Sequence, residues 1–257
     1  MNQSERRLYL INALLDESPR YSSIEIPKDT NEQKQLLRSL MNVRMPAPIS
    51  EEFLRIQDAY LRQAIAEKGV TELSDLTEIE KDIYLWQGDI TTIKCGAIVN
   101  AANSQMLGCF SPCHGCIDNC IHTYAGIQLR NKCGEIMRAQ GYEEPTGMAK
   151  ITPAYNLPCD YVLHTVGPIV RGRLSEKDCD LLKSCYLSCL RLAEENGVKS
   201  VAFCCISTGV FGFPQQEAAQ IAVATVREYQ QQSNSGIKVI FNVFKDDDLM
   251  IYQQLLG

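Results

Sequence analysis

From residue 80 onward, short apolar runs alternate with longer amphipathic stretches, and no other feature constrains the fold as strongly. The pattern predicts strands over Ile83 to Gln87, Ala97 to Asn100, Tyr161 to Thr165, Ser200 to Ile206 and Ile237 to Phe244. Between them it predicts helices over Ile117 to Gln140, Leu174 to Asn196 and Asp246 to Leu256, with a further helix opened by Pro214 at its first turn. The run from Ser200 is continuously apolar and bounded by turn residues, as a strand covered on both faces should be. Such alternation implies an α/β fold, with a largely parallel sheet between two layers of helices. Ligands of such sheets bind at the carboxyl ends of strands. The search for chemistry therefore falls on the loops at 87–91, 100–104 and 207–214.

The first part of the chain reads differently. Leu8, Ile11, Leu14 and Leu15 repeat at helical spacing, and Leu36, Leu37, Leu40 and Met41 mark a second helix that Pro46 and Pro48 stop. Ser50 is a fitting N-cap for a third, followed by Glu51 and Glu52 at the positive helix end and closed by Gly69. Residues 1–78 are thus expected to be a helical N-terminal extension, without visible chemistry, and residues 79–257 the α/β unit.

Charge limits the partners. With 25 basic against 31 acidic residues the net charge is −6, which argues against binding to a nucleic-acid backbone. No apolar stretch reaches 18 residues, so no membrane partner is expected, and the N-terminus lacks the apolar core of a secretion signal. A cytoplasmic protein is expected. To bind an anion, an acidic chain must use main-chain N–H groups or a metal. The turn Ser207-Thr208-Gly209-Val210-Phe211-Gly212-Phe213-Pro214, running into a helix, suits a diphosphate in that way, and a plain tight turn would use similar residues. Asp89 can accept from an exocyclic amine or cap a short helix, and Asn100 and Asn103 can bind hydroxyls or serve as turn residues. His164, in a predicted strand, reads as structural.

Twelve cysteines without a secretion signal point to reduced thiols. Cys109, Cys113, Cys116, Cys120 and Cys133 crowd one short region, together with His114 and His122, whereas the other cysteines read as filler. Cys109, His114 and Cys116 are plausible ligands for Zn²⁺. Cys113, Cys120 or His122 could close a structural site, but the spacing favours three ligands and one open position.

Five segments then carry a resemblance: Gly88-Asp89-Ile90-Thr91, Ala97-Ile98-Val99-Asn100-Ala101-Ala102-Asn103, Ile151-Thr152-Pro153-Ala154-Tyr155-Asn156-Leu157-Pro158, Tyr161-Val162-Leu163-His164-Thr165-Val166-Gly167-Pro168 and Ser207-Thr208-Gly209-Val210-Phe211-Gly212. In order and spacing they resemble the macrodomain family, over about residues 80–257. The resemblance implies a three-layer α/β/α fold around a mostly parallel mixed sheet, and ADP-ribose as ligand. By it, Asp89 and Ile90 would hold adenine, and Asn100 and Asn103 would reach the ribose that carries the scissile bond. Ser207, Thr208, Gly209, Val210, Phe211 and Gly212 would wrap the diphosphate. Phe244, at the end of the last predicted strand, is a candidate to stack on adenine.

One segment departs from the family pattern. Gly108-Cys109-Phe110-Ser111-Pro112-Cys113-His114-Gly115-Cys116 stands where a glycine run is usual. This is similar to a zinc-dependent bacterial branch found beside a sirtuin-class ADP-ribosyltransferase, which also carries a helical N-terminal extension. That resemblance implies a hydrolase removing single ADP-ribose units from proteins, with acidic side chains as the modified residues and Asn103 holding ribose hydroxyls. Asp118 matches the family's acid and is a candidate general base, while its position in a helix first turn explains it equally well. Two other functions fit the same residues: a reader of ADP-ribose with structural zinc, and a hydrolase of small esters such as O-acetyl-ADP-ribose.

Overall fold

The computed structural model describes residues 1–233 and 235–257. Three helices come first, and local side chains fix their starts. Asn2 and Glu5 form a capping box on α1 (Gln3–Asp16), and Asp29 accepts from the first N–H groups of α2 (Thr30–Val43). Ser50 caps α3 (Glu51–Lys68), which stops at Gly69 in a positive-φ conformation that suits glycine. Their apolar faces, including Leu10, Leu14, Leu37, Leu40, Phe53 and Ile56, form a core of their own, joined from outside by Ile127.

The remaining elements are β1 (Thr71–Glu72), β2 (Glu78–Glu80), β3 (Ile83–Gln87), β4 (Ile93–Lys94), β5 (Ala97–Ala102), α4 (Ile117–Ala125), α5 (Ile127–Gln140), β6 (Ala149–Pro153), β7 (Tyr161–Val166), α6 (Glu176–Glu195), β8 (Ser200–Phe203), α7 (Gln215–Gln232), β9 (Lys238–Val243) and α8 (Asp246–Leu256). The main sheet runs β2-β3-β9-β8-β5-β7-β6, antiparallel at the two outer pairs and parallel within. A separate two-stranded parallel pair joins β1 to β4. In β8 and β9 nearly every residue is buried, on both faces of the pleat, so helices cover the sheet on both sides. This is the expected mixed sheet with flanking helices. No described helix is long and apolar enough to cross a membrane.

Three expectations shift. β8 ends at Phe203; Cys204 and Ile206 stay buried, but the backbone already turns toward the loop. The helical stretch from Ile117 breaks at Gly126, where φ is +95°. A Cβ at that glycine would stand 2.6 Å from Gln57 Nε2, and Gln57 Oε1 accepts from Ile127 N at 3.0 Å, so the extension itself caps the restarted helix. Finally, β2 straddles the boundary drawn at residue 78.

Candidate active site

A cavity of about 760 Å³ opens at the carboxyl ends of the central strands, within the size range of small-molecule sites. The strand order lays its walls out in sequence. Asp89 and Ile90 follow β3, and Phe244 follows β9. Next come Ser207 to Phe211 after β8, then Asn103, the cysteine loop and Asp118 after β5.

At the β5 end, the donor atoms of Cys109, His114 and Cys116 lie within 4.8 Å of one another, with Cys109 Sγ 3.7 Å from His114 Nδ1. Tetrahedral zinc holds such donors roughly 3.5–3.8 Å apart, so a small closure of the loop would seat the ion. Two soft thiolates and an imidazole are a donor set suited to Zn²⁺. Among the described residues, no fourth cysteine, histidine or carboxylate joins this group. Cys113 turns away, its Sγ 3.3 Å from Ser39 Oγ and 3.4 Å from Gln35 O. Cys120 lies against Arg38, and the His122 ring is buried beside Asp118.

Asp118 stands in the first turn of α4 with its carboxylate at the cavity wall. Burial pushes this carboxyl up to about 6, against the Asn100 hydrogen bond and the Arg130 charge. Asn100 Nδ2 donates to Asp118 Oδ1 at 2.8 Å, and Asn103 Nδ2 lies 3.5 Å from the other oxygen. The same Asn100 amide faces His164 Nδ1 at 3.1 Å, and His164 Nε2 lies 2.9 Å from Thr152 Oγ1. Burial holds His164 down to about 3, so the ring is neutral: Nδ1 accepts from Asn100 and Nε2 donates to Thr152. Asn100 was expected at the ribose. Instead it is fully buried, does not line the cavity, and spends its amide on Asp118 and His164.

At the β3 end, Asp89 caps a short 3₁₀ turn, accepting from Thr91 N at 3.0 Å and Thr91 Oγ1 at 2.7 Å, while Lys68 Nζ reaches its outer oxygen at 2.8 Å. Partial burial raises its pKa, but the Lys68 and Thr91 contacts outweigh that and hold the carboxyl below its ordinary value. Asp89 is thus a helix cap that also lines the cavity. Phe244 lines it too, with its side chain largely exposed.

In the middle, Ser207 takes a left-handed φ of +66°, uncommon for a residue with a side chain. The loop is tied from both sides: Phe213 N donates to Ser207 O at 3.0 Å and Val170 N to Phe211 O at 2.8 Å. Among the described residues, no acceptor bonds the main-chain N–H groups of Gly209, Val210 or Phe211. These donors, beside the start of α7, form a cradle for an anion. Gly212 was expected to share in it. Its N–H is spent on Gly209 O at 3.0 Å, its φ is +70°, and it lies outside the cavity as the pivot of the turn.

Phe110, Lys245 and Asp248 also line the cavity and carried no expectation. Lys245 directly follows Phe244 at a strand's carboxyl end, so the rule that found the other loops applies to it. Phe110 packs its ring under the Arg130 guanidinium, 4.4 Å from the ring centre, a contact that needs the fold to become visible.

Residues 99–222 match the Macro domain family. The chain is 61% identical over 261 residues to a protein-ADP-ribose hydrolase of Treponema medium, with all of both chains covered. It is 52% identical over 248 residues to a protein-ADP-ribose hydrolase of Staphylococcus aureus strain MSSA476, covering 96% of this chain and 93% of that one. A Trypanosoma brucei macrodomain solved in complex with ADP-ribose superposes with a TM-score of 0.66 at 30% identity, covering 86% of this chain and 95% of that one.

Proposed function

The chain belongs to the macro domain family, and from that premise we propose that it is a protein-ADP-ribose hydrolase. The observation that carries this reading is the lateral order of the cavity: a carboxylate and an aromatic ring, then an anion cradle, then a carboxylate beside a cluster of soft donors. An ADP-ribose fits that order, with adenine between Asp89 and Phe244, diphosphate on the N–H groups of Gly209 to Phe211, and proximal ribose at Asn103 and Asp118. The bond to be broken joins the anomeric carbon of that ribose to the protein side chain.

Asn103 donates its amide to a ribose hydroxyl and fixes the ring. Asp118, held through one oxygen by Asn100, keeps its other oxygen for a water and takes a proton from it as the water attacks the anomeric carbon. The side-chain carboxylate departs with the bonding electrons, so we take the modified residues to be acidic and the modification to be single ADP-ribose units. Zn²⁺ held by Cys109, His114 and Cys116 would supply a Lewis acid beside the reacting ribose. The modified protein is taken to be the product of a sirtuin-class ADP-ribosyltransferase.

The test is release of ADP-ribose from a protein automodified by such a transferase. Activity that is lost on chelation and restored by Zn²⁺ supports the whole reading. Activity that survives complete metal removal retains the hydrolase and discards the metal.

A further inference from the structure

The three candidate metal ligands sit on a loop without regular structure, and His114 is exposed. Such a loop holds donors at useful spacing only if something outside it is rigid. The rigid partner is α2. Arg38 Nη2 donates to His114 O at 2.8 Å and to Asn119 Oδ1 at 2.7 Å, and Arg38 Nε donates to the same Asn119 oxygen at 3.2 Å. Asn119 passes the contact on: its Nδ2 donates to Ser111 O at 2.9 Å, and its main-chain N lies 3.4 Å from Cys116 Sγ. A second anchor on α2 is Asn42, whose Oδ1 accepts from Cys113 N at 3.0 Å. Cys113 itself is in a left-handed conformation, φ +53°, which turns its thiol toward α2 and away from the ligand group.

From this geometry we infer that the N-terminal extension builds the metal site, and that Arg38 is its positioning residue. The inference rests on the metal reading above. One planar guanidinium fixes the main chain of one ligand and, through Asn119, the helix-cap thiol of another; a lysine has no fork to do both. The extension thus has a chemical task, although it contributes no side chain to the cavity.

The experiment uses the full chain stripped of metal and titrated with Co²⁺, read by thiolate charge-transfer and d–d absorption. Arg38→Met keeps the apolar stem and removes the fork. Arg6→Met is the control, because Arg6 bonds Gln3 and Gln63 on the extension and none of the loop. Loss of groups that orient metal ligands weakens affinity on the order of 10–100-fold. Arg38→Met should therefore bind Co²⁺ at least about tenfold more weakly, with altered bands. Arg6→Met should match the parent, and both should fold without metal and keep the parent's affinity for ADP-ribose. Parent-like Co²⁺ affinity and spectrum in Arg38→Met overturn the inference while leaving the metal reading intact. An Arg38→Met chain that fails to fold without metal also overturns it, by making Arg38 a folding residue. A parent chain that binds no Co²⁺ refutes the metal reading, and this inference with it.

Discussion

Gly167 lies so close to Ser207 that a Cβ placed on it would stand 2.0 Å from Ser207 Oγ. The end of β7 and the anion cradle therefore touch at a point where only a hydrogen fits. Gly167→Ala should cost about 1–3 kcal/mol of stability through overpacking and displace the left-handed Ser207. Its affinity for ADP-ribose, measured by calorimetry, should fall by at least as large a factor as its stability. Unchanged affinity in a destabilised variant would take Ser207 out of the binding loop.

Asp89 caps a short turn and lines the cavity, and pH separates its structural part from its proposed binding part. Replacing it by alanine should weaken ADP-ribose binding by about 1–3 kcal/mol, the scale of a lost hydrogen bond to a charged group. Its folded pKa lies below the ordinary 3.8, so its pairing with Lys68 and Thr91 stabilises the fold fully above that value. That stabilisation is lost as pH falls through the lowered folded value. Urea unfolding of wild type and Asp89→Asn should accordingly differ near neutrality and converge below pH 3.8. Parallel curves across that range would assign the difference to something other than the carboxylate charge.

The proposed metal ligands make a contrast with their neighbour. Cys109→Ala, His114→Ala and Cys116→Ala should each lose zinc and turnover, while their unfolding temperatures change little because the main core lies elsewhere. Cys113→Ala should keep zinc, since that thiol faces Ser39 and Gln35. Zinc per chain by elemental analysis decides it; loss of zinc from Cys113→Ala would mean the loop closes differently around the ion.

Asn100→Leu tests the buried chain behind Asp118. Removing the amide leaves a buried carboxylate oxygen without its donor, which costs about 1–3 kcal/mol of stability. Turnover should drop far more than ADP-ribose affinity, because Asn100 does not touch the cavity. If kcat is unchanged, the orientation of Asp118 is not what limits the reaction.

The sequence disclosed the parts of the fold that depend on periodicity. Ile83 to Gln87 and Asp246 to Leu256 fall where the pattern puts them, because side-chain alternation and helical spacing are local properties. β6 and the two-residue strands β1 and β4 have no such signature; they exist because a neighbour offers hydrogen bonds. The site divides in the same way. Asp89, Asn103 and Phe244 were visible from their place after strands, and all three line the cavity. Asn100 was misplaced because the alternation along β5 turns its side chain toward His164, which only the paired register Asn100 with His164 reveals. The contacts from Arg38 to His114 and from Asn42 to Cys113 join residues more than seventy positions apart, and nothing local announces them.

The Arg130 guanidinium, buried in α5, donates to Met41 O, Asn42 O and Arg44 O on one side and to Leu107 O and Cys109 O on the other. A shortened chain beginning after the extension would take away the three acceptors on Met41, Asn42 and Arg44, leaving those of Leu107 and Cys109, and would bare Ile127 as well. Removing the partners of hydrogen bonds to a charged group costs more than removing those of neutral ones. The α/β unit of this chain is therefore not a portable module. A homologue without the extension should carry another residue in place of Arg130.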